Sequence, residues 1–203
     1  MRFNDKDKKE EVKESEDNSP EEAAKLFPAP PDIRTVALIG EINEERTTDV
    51  LIGLIMLAEE AKSKGEKPID FYISTYGGSA DEMFSIYDMM KHTKKTCEIH
   101  TIGLGKVMSG GTLVLAAGTK GKRRIGKHCR VMIHNVAAGS YGELHNMENE
   151  LKAIQQVQDL YVKAMVKETK FTRRELHKLL ERKVNVYLTA KEAIDYGIAD
   201  EIF

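Results

Sequence analysis

Cysteine is scarce in this chain: Cys97 and Cys129 are the only two among 203 residues. That is too few for a disulfide framework and suits a reducing compartment. Net charge is nearly absent as well, −2 from 31 basic and 33 acidic side chains, so no global field draws the chain to nucleic acid or to an anionic membrane. Long apolar runs are missing. The longest, residues 50–58, is far too short to span a bilayer, and the first residues carry no apolar leader. These absences predict a cytoplasmic protein with neither nucleic acid nor membrane as a partner. Nucleotide signatures fail too: neither GLGKVMSGG nor AGTKGKRR fits a phosphate loop, and Met108 stands where a dinucleotide fingerprint needs its third glycine. Val107 breaks the G-x-S-x-G elbow of α/β-hydrolases around Ser109. No solenoid-type repeat is visible.

What is present suits one domain behind a tail. Residues 1–31 form a charged arm too polar to bury itself, with a capping box at Ser19, Pro20 and Glu22 opening a short helix, and a proline cluster at residues 28–31 marking the boundary. The domain then spans residues 32–203. RTVALIG, residues 34–40, reads as a buried strand. Residues 48–64 read as a helix whose apolar set, Leu51, Ile52, Leu54, Ile55 and Ala58, is too wide for a surface stripe and requires a second layer or a subunit contact. IDFYIS (residues 69–74) is a second strand, followed by a turn over residues 75–78 and a helix opened by Ser79 and Glu82 as a capping box. CEIHTI (residues 97–102) is a third strand leading into GLGKVMSGGTLVLAAG, residues 103–118. Strand, glycine turn and helix thus recur, the pattern of an α/β layer with right-handed crossovers. Residues 122–125 and 130–134 add two short strands. Residues 143–167 form a long amphipathic helix with one stripe from Leu144 through Met147, Leu151, Ile154, Val157 and Tyr161 to Met165, narrow enough to project and pack on a partner. Capping boxes at Thr172/Glu175 and Thr189/Glu192 open two more helices.

Three clusters offer chemistry. Cys97 and His100, with His128 and Cys129, have a zinc-like look, but residues three apart on a strand face opposite ways, so no metal is expected. The basic run Lys120, Lys122, Arg123, Arg124 and Lys127 lacks interleaved aromatics and reads as a solvated hairpin rather than a phosphate site. The third cluster is Ser109 with His134. Alone, Ser109 reads as the N-cap of a buried helix and His134 as a core histidine at a strand end. Together with the turn at Gly77 and Gly78 they form the parts of a serine hydrolase: nucleophile, base and backbone N–H donors.

The ordered segments YISTYGGSADEMFSIYDMM, SGGTLVLAAGTKGKRR, RVMIHN and YLTAKEAIDYGIADEIF resemble the proteolytic subunit of the Clp protease, over residues 34–203. The resemblance implies an α/β, crotonase-like fold of repeated ββα units with a projecting handle helix. It implies a catalytic serine at Ser109, its base at His134, and an oxyanion hole from the N–H groups of Gly78 and Gly110. It implies an ATP-independent serine endopeptidase without cofactor, assembled as a homo-oligomer of one heptameric ring or a double-ring tetradecamer. An AAA+ unfoldase would deliver its polypeptide substrates.

The chain departs from the family pattern in several places. The position of the triad aspartate is Asn185, just before Tyr187-Leu188-Thr189-Ala190. An asparagine carbonyl can orient an imidazole but stabilises imidazolium poorly; in trypsin-type enzymes that exchange lowers turnover by about four orders of magnitude. Glu181 is a candidate to replace the carboxylate in space. Gly110 stands for a methionine, which predicts a looser cleft wall, and Asn135-Val136 stands for Gln-Pro. The polar tail differs from apolar-anchored axial loops. These departures keep a second reading open: a catalytically weak or inactive structural or regulatory ring subunit. A hydratase on the same fold is disfavoured, because such sites use carboxylates near the Gly-Gly turn.

Overall fold

Alternating burial along the first strand sets the architecture. In β1 (Thr35–Ile42) every second side chain, Val36, Leu38 and Ile42, enters the core while Ile39 is exposed, so this strand is covered on one face only rather than buried throughout. The structure is a computed structural model that describes residues 32–65, 67–139, 141–181 and 184–203. The expected tail and its capping box at Ser19 lie outside the described residues. Arg34–Phe203 is one compact unit.

Helix α1 (Glu44–Lys64) follows, longer at its start than the spacing predicts because Asn43 caps it by accepting from the N–H of Arg46. Its inner face buries Val50, Leu54 and Ala58, whereas Ile52, Ile55 and Met56 lie on the surface. Strand β2 (Ile69–Gly78) and helix α2 (Ala80–Thr93) come next, then β3 (Ile99–Met108) and helix α3 (Gly110–Ala116), whose residues are all buried. Both glycine segments expected as turns continue as strand: β2 runs through Gly78 and β3 through Gly103 and Gly105. Parallel pairing to neighbours supplies the hydrogen bonds that a local turn would have made. At α2 only half of the expected box forms. Ser79 accepts from the N–H of Glu82, but the N–H of Ser79 donates to the carbonyl of Ile42 instead.

β4 (Arg124–Ile125), β5 (Arg130–Ile133), β6 (Val186–Leu188) and β7 (Glu201–Ile202) complete one sheet of order β1-β2-β3-β4-β7. The sheet forks at β3. Its first half pairs in parallel with β4 through Ile102 and Gly103, its second half with β5 through Lys106, Val107 and Met108, and Gly105 with φ +61° lies between the two halves. β5 in turn pairs antiparallel with β6. The core between sheet and helices is filled by Leu38, Leu54, Phe71, Ile73, Ile86, Met90, Leu113 and Leu115.

Helix α4 (Leu144–Glu168) changes character along its length. Leu144, Met147 and Leu151 are exposed, and burial begins at Tyr161 and continues through Val162, Ala164 and Met165. Capping boxes open α5 (Arg173–Leu180) and α6 (Ala190–Asp195), with Glu175 and Glu192 each returning a bond to the cap backbone. The basic run is not a solvated hairpin throughout. Arg123 is 4% exposed and locks three segments: its guanidinium donates to both carboxylate oxygens of Asp200 at 2.7 and 2.5 Å, and to the carbonyls of Ala116 and Glu168. Among the described residues no helix is long and apolar enough to cross a membrane.

Candidate active site

The fork brings Ser109 and His134 together. Met108 of β3 and Met132 of β5 are register partners, and the N–H of Ser109 extends the ladder by donating to the carbonyl of Met132 at 2.8 Å. Ser109 is then one residue past the end of β3, and His134 one residue past the end of β5. Nε2 of His134 lies 2.7 Å from Oγ of Ser109. Thr112 secures the arrangement from α3, its hydroxyl donating to the same Met132 carbonyl at 3.1 Å.

Ser109 occupies the N-cap position of α3, yet its side chain makes no capping bond; its hydroxyl is committed to His134. Its backbone has φ +54°, the one non-glycine residue at positive φ among the described residues. Such a conformation costs about 1–3 kcal/mol and persists only when its surroundings enforce it. Glycines on neighbouring elements provide those surroundings. A Cβ on Gly77 would sit 2.5 Å from Cβ of Ser109, and one on Gly111 would sit 2.3 Å from Cγ2 of Thr75. The strand-to-helix turn is therefore an elbow in geometry although the motif is incomplete: the glycine missing before the serine is replaced by one on the adjacent strand.

Gly110 does not loosen the wall. A Cβ there would meet Cγ and Sδ of Met83 at 3.1 Å, so the methionine from α2 already fills the space. The loop after His134 is tied down at both altered positions. Nδ2 of Asn135 donates to the carbonyl of Leu180, and the N–H of Val136 donates to Oε1 of Gln158 at 2.7 Å, a bond that proline has no hydrogen to make.

Ser109, His134, Gly78 and Gly110 line one cavity of about 360 Å³, together with Met83 and Tyr161. His134 is half-buried, and burial lowers its pKa below the ordinary imidazole value. The ring is consequently neutral near pH 7, and Nε2 is free to accept the serine proton. Among the described residues Nδ1 of His134 has no hydrogen-bond partner. Asn185 lies one residue before the Val186–Ile133 pair of the β5–β6 ladder, so the strand carries it to the end that His134 occupies. Its side chain is nevertheless exposed, and no hydrogen bond joins it to His134. Glu181 ends α5, exposed, and does not pair with His134 either. Away from this cavity, Cys97 is buried and His100 pairs with Glu98.

Sequence spacing puts Tyr161 on the partner-facing stripe of the long helix and Met83 only at a helical apolar position, since the spacing of a cavity wall is the same as that of any apolar helix face. Gly77 was legible only as part of a turn; its contact with Ser109 depends on the β2–β3 pairing.

A mostly parallel sheet with a serine–histidine pair at the carboxyl ends of two neighbouring strands is an α/β scaffold that carries the parts of a serine hydrolase. Residues 20–203 match the family model described as Clp protease, and the chain belongs to the Clp protease family. It is a ClpP-like protease with the corresponding α/β fold.

Proposed function

We propose that this chain is an ATP-independent serine endopeptidase subunit whose nucleophile is Ser109 and whose base is His134. The 2.7 Å contact between Oγ and Nε2, held by a strained serine backbone, is the observation that carries the reading. His134 takes the Ser109 proton as Oγ bonds to the peptide carbonyl carbon, and the negative charge moves to the carbonyl oxygen. The N–H groups of Gly78 and Gly110 receive that charge in the cavity. Collapse breaks the C–N bond, His134 gives its proton to the departing amine, and water releases the acyl group by the same steps in reverse order.

The exposed apolar residues of α1 and of the first half of α4 support association with further copies, and membership of the Clp protease family supports a heptameric ring or double ring to which an AAA+ unfoldase delivers unfolded proteins. A second reading, a weak or inactive ring subunit, is favoured by one observation: among the described residues Nδ1 of His134 is unpartnered, and Asn185 carries no charge to compensate imidazolium. A fluorophosphonate probe separates the two. Covalent labelling at Ser109, abolished in Ser109→Ala, is expected for the peptidase, and labelling accelerated tenfold or more in Asn185→Asp identifies the missing carboxylate as the limit. No labelling of the folded chain in any assembly state refutes the peptidase reading.

A further inference from the structure

The apolar stripe of α4 has a polar interruption. Between Ile154 and Tyr161 the alternation of three- and four-residue steps calls for an apolar side chain at position 158, and Gln158 stands there. Leucine would continue the stripe at no cost in helix propensity. The amide is used for a bond instead: Oε1 of the half-buried Gln158 accepts from the N–H of Val136 at 2.7 Å. Val136 follows His134 by two residues, and both line the cavity that holds Ser109. Little else ties this segment down. Residues 135–139 make no backbone–backbone hydrogen bond among the described residues, which leaves this bond and the one from Nδ2 of Asn135 to the carbonyl of Leu180 at 2.8 Å. Nor is the imidazole fixed from behind. In a serine triad the third group orients the ring through Nδ1, and among the described residues Nδ1 of His134 has no partner. The aim of the ring at Oγ of Ser109 therefore depends on the backbone that carries it.

We propose that Gln158 is a positioning residue for the reaction: it clamps the segment that leaves His134, and so holds the imidazole on Ser109 and keeps Val136 in the cavity wall. The inference rests on the peptidase reading above and deepens it by naming a residue of α4 on which the serine–histidine pair depends. Without the amide, the half-buried N–H of Val136 has to turn to water and carries its segment with it, because an unmade bond costs the desolvation of the donor. Reacting atoms tolerate little of that movement, about a hundredfold in rate for a misplacement of about 1 Å. Proline at position 136 removes the same need by other means: it has no N–H to satisfy and fixes its own φ, and residue 136 has no positive φ to stand in its way.

The test uses the full chain carrying Gln158→Leu, the same chain with Val136→Pro added, and Gln158→Glu. Two quantities are read: the second-order rate of fluorophosphonate labelling, and the C2-hydrogen exchange of each histidine by mass spectrometry, which follows the ring without any reaction. Gln158→Leu is expected to label about tenfold or more slowly with its circular dichroism unaltered. Proline, which needs no acceptor, and glutamate, which supplies one, are each expected to return the rate to within about threefold of the unaltered chain. No charged side chain lines the cavity, and burial holds the pKa of His134 below its ordinary value. A loosened segment exposes the ring, so the exchange midpoint of His134 rises towards about 6.5 in Gln158→Leu and falls back with proline, while those of His100 and His145 stay where they are. Labelling of Gln158→Leu within about threefold of the unaltered rate, recovery in neither of the other variants, or an unmoved His134 midpoint overturns the proposal. If the unaltered chain does not label, the peptidase reading fails and the exchange decides alone: a His134 midpoint that rises and is restored by proline upholds the clamp, and an unmoved one overturns it.

Discussion

Replacing Gly77 by alanine tests whether the backbone of β2 seats the serine. The new Cβ would lie 2.5 Å from Cβ of Ser109 and 3.0 Å from its Oγ, against about 3.5–4.0 Å for an ordinary carbon contact. Relief therefore requires Ser109 to move by about 1 Å. The Oγ–Nε2 distance of 2.7 Å has little slack, since a shift of that size takes it beyond hydrogen-bond range. A misplacement of about 1 Å at reacting atoms costs about a hundredfold in rate. Stability also falls. Alanine at φ +97° costs about 1–2 kcal/mol and overpacking adds about 1–3 kcal/mol, a total of about 2–5 kcal/mol. The control is Gly40→Ala, because Gly40 has the same φ of +97° with nothing within 4 Å of an added Cβ. The assay is the second-order rate of fluorophosphonate labelling, with urea unfolding in parallel. Gly77→Ala is expected to label about a hundredfold more slowly, while Gly40→Ala loses about 1–2 kcal/mol and keeps its labelling rate. Labelling of Gly77→Ala within threefold of the unaltered rate, or an equal loss in Gly40→Ala, refutes the reasoning.

The lowered pKa of His134 sets the direction of a pH profile: the neutral base persists to more acid pH than an ordinary imidazole, so the acid limb of the labelling rate has its midpoint below about 6.5. The same shift makes the unfolded chain the stronger proton binder, so the stability it contributes is full above the ordinary histidine value and is lost as pH falls towards the folded one. A midpoint at or above about 6.5 counts against a buried, neutral His134. Arg123→Ala removes the fork that joins Asp200 to the ends of α3 and α4, taking the charged donor from the carbonyls of Ala116 and Glu168 and leaving the Asp200 carboxylate only the backbone N–H groups of residues 121 and 123. It is expected to cost about 3–5 kcal/mol, a fall of about 10 °C or more in Tm by circular dichroism, and a loss under about 1 kcal/mol disproves the lock.

What was legible in the sequence followed from local rules. Two reciprocal capping boxes form where Thr172/Glu175 and Thr189/Glu192 predict them, because every bond in such a box lies within four residues. The strand–helix alternation was readable for the same reason. The glycine segments misled because glycine reports permissiveness rather than shape. Gly77, Gly78 and Gly105 all have positive φ, yet they remain in strands: β1 pairs with Gly77 and Gly78, and the residues on either side of Gly105 pair with β2, β4 and β5, at a distance in sequence. Arg123 was misread likewise, since its partner Asp200 lies 77 positions away.

Ser109 shows most clearly why local reading ends where function begins. As an N-cap its hydroxyl would be held by its own helix, and that bond is available to any serine before a helix. With φ at +54° the backbone of Ser109 is turned out of the usual extended N-cap conformation, and the side chain meets β5 instead. The strain is sustained by three close packings: Gly77 against Ser109, Gly111 against Thr75, and Gly110 against Met83. Each pairs residues from different elements, so no window of sequence contains one whole. The same holds for Nδ1 of His134. The β5–β6 ladder delivers Asn185 to the right end of the sheet, but whether that nitrogen acquires a carboxylate depends on one side chain, and the fold would accept aspartate there with no change in pairing. Seating of Ser109 and the supply of a partner to Nδ1 of His134 are thus separable in this chain: the first is built into the fork of the sheet, the second rests on a single exposed position.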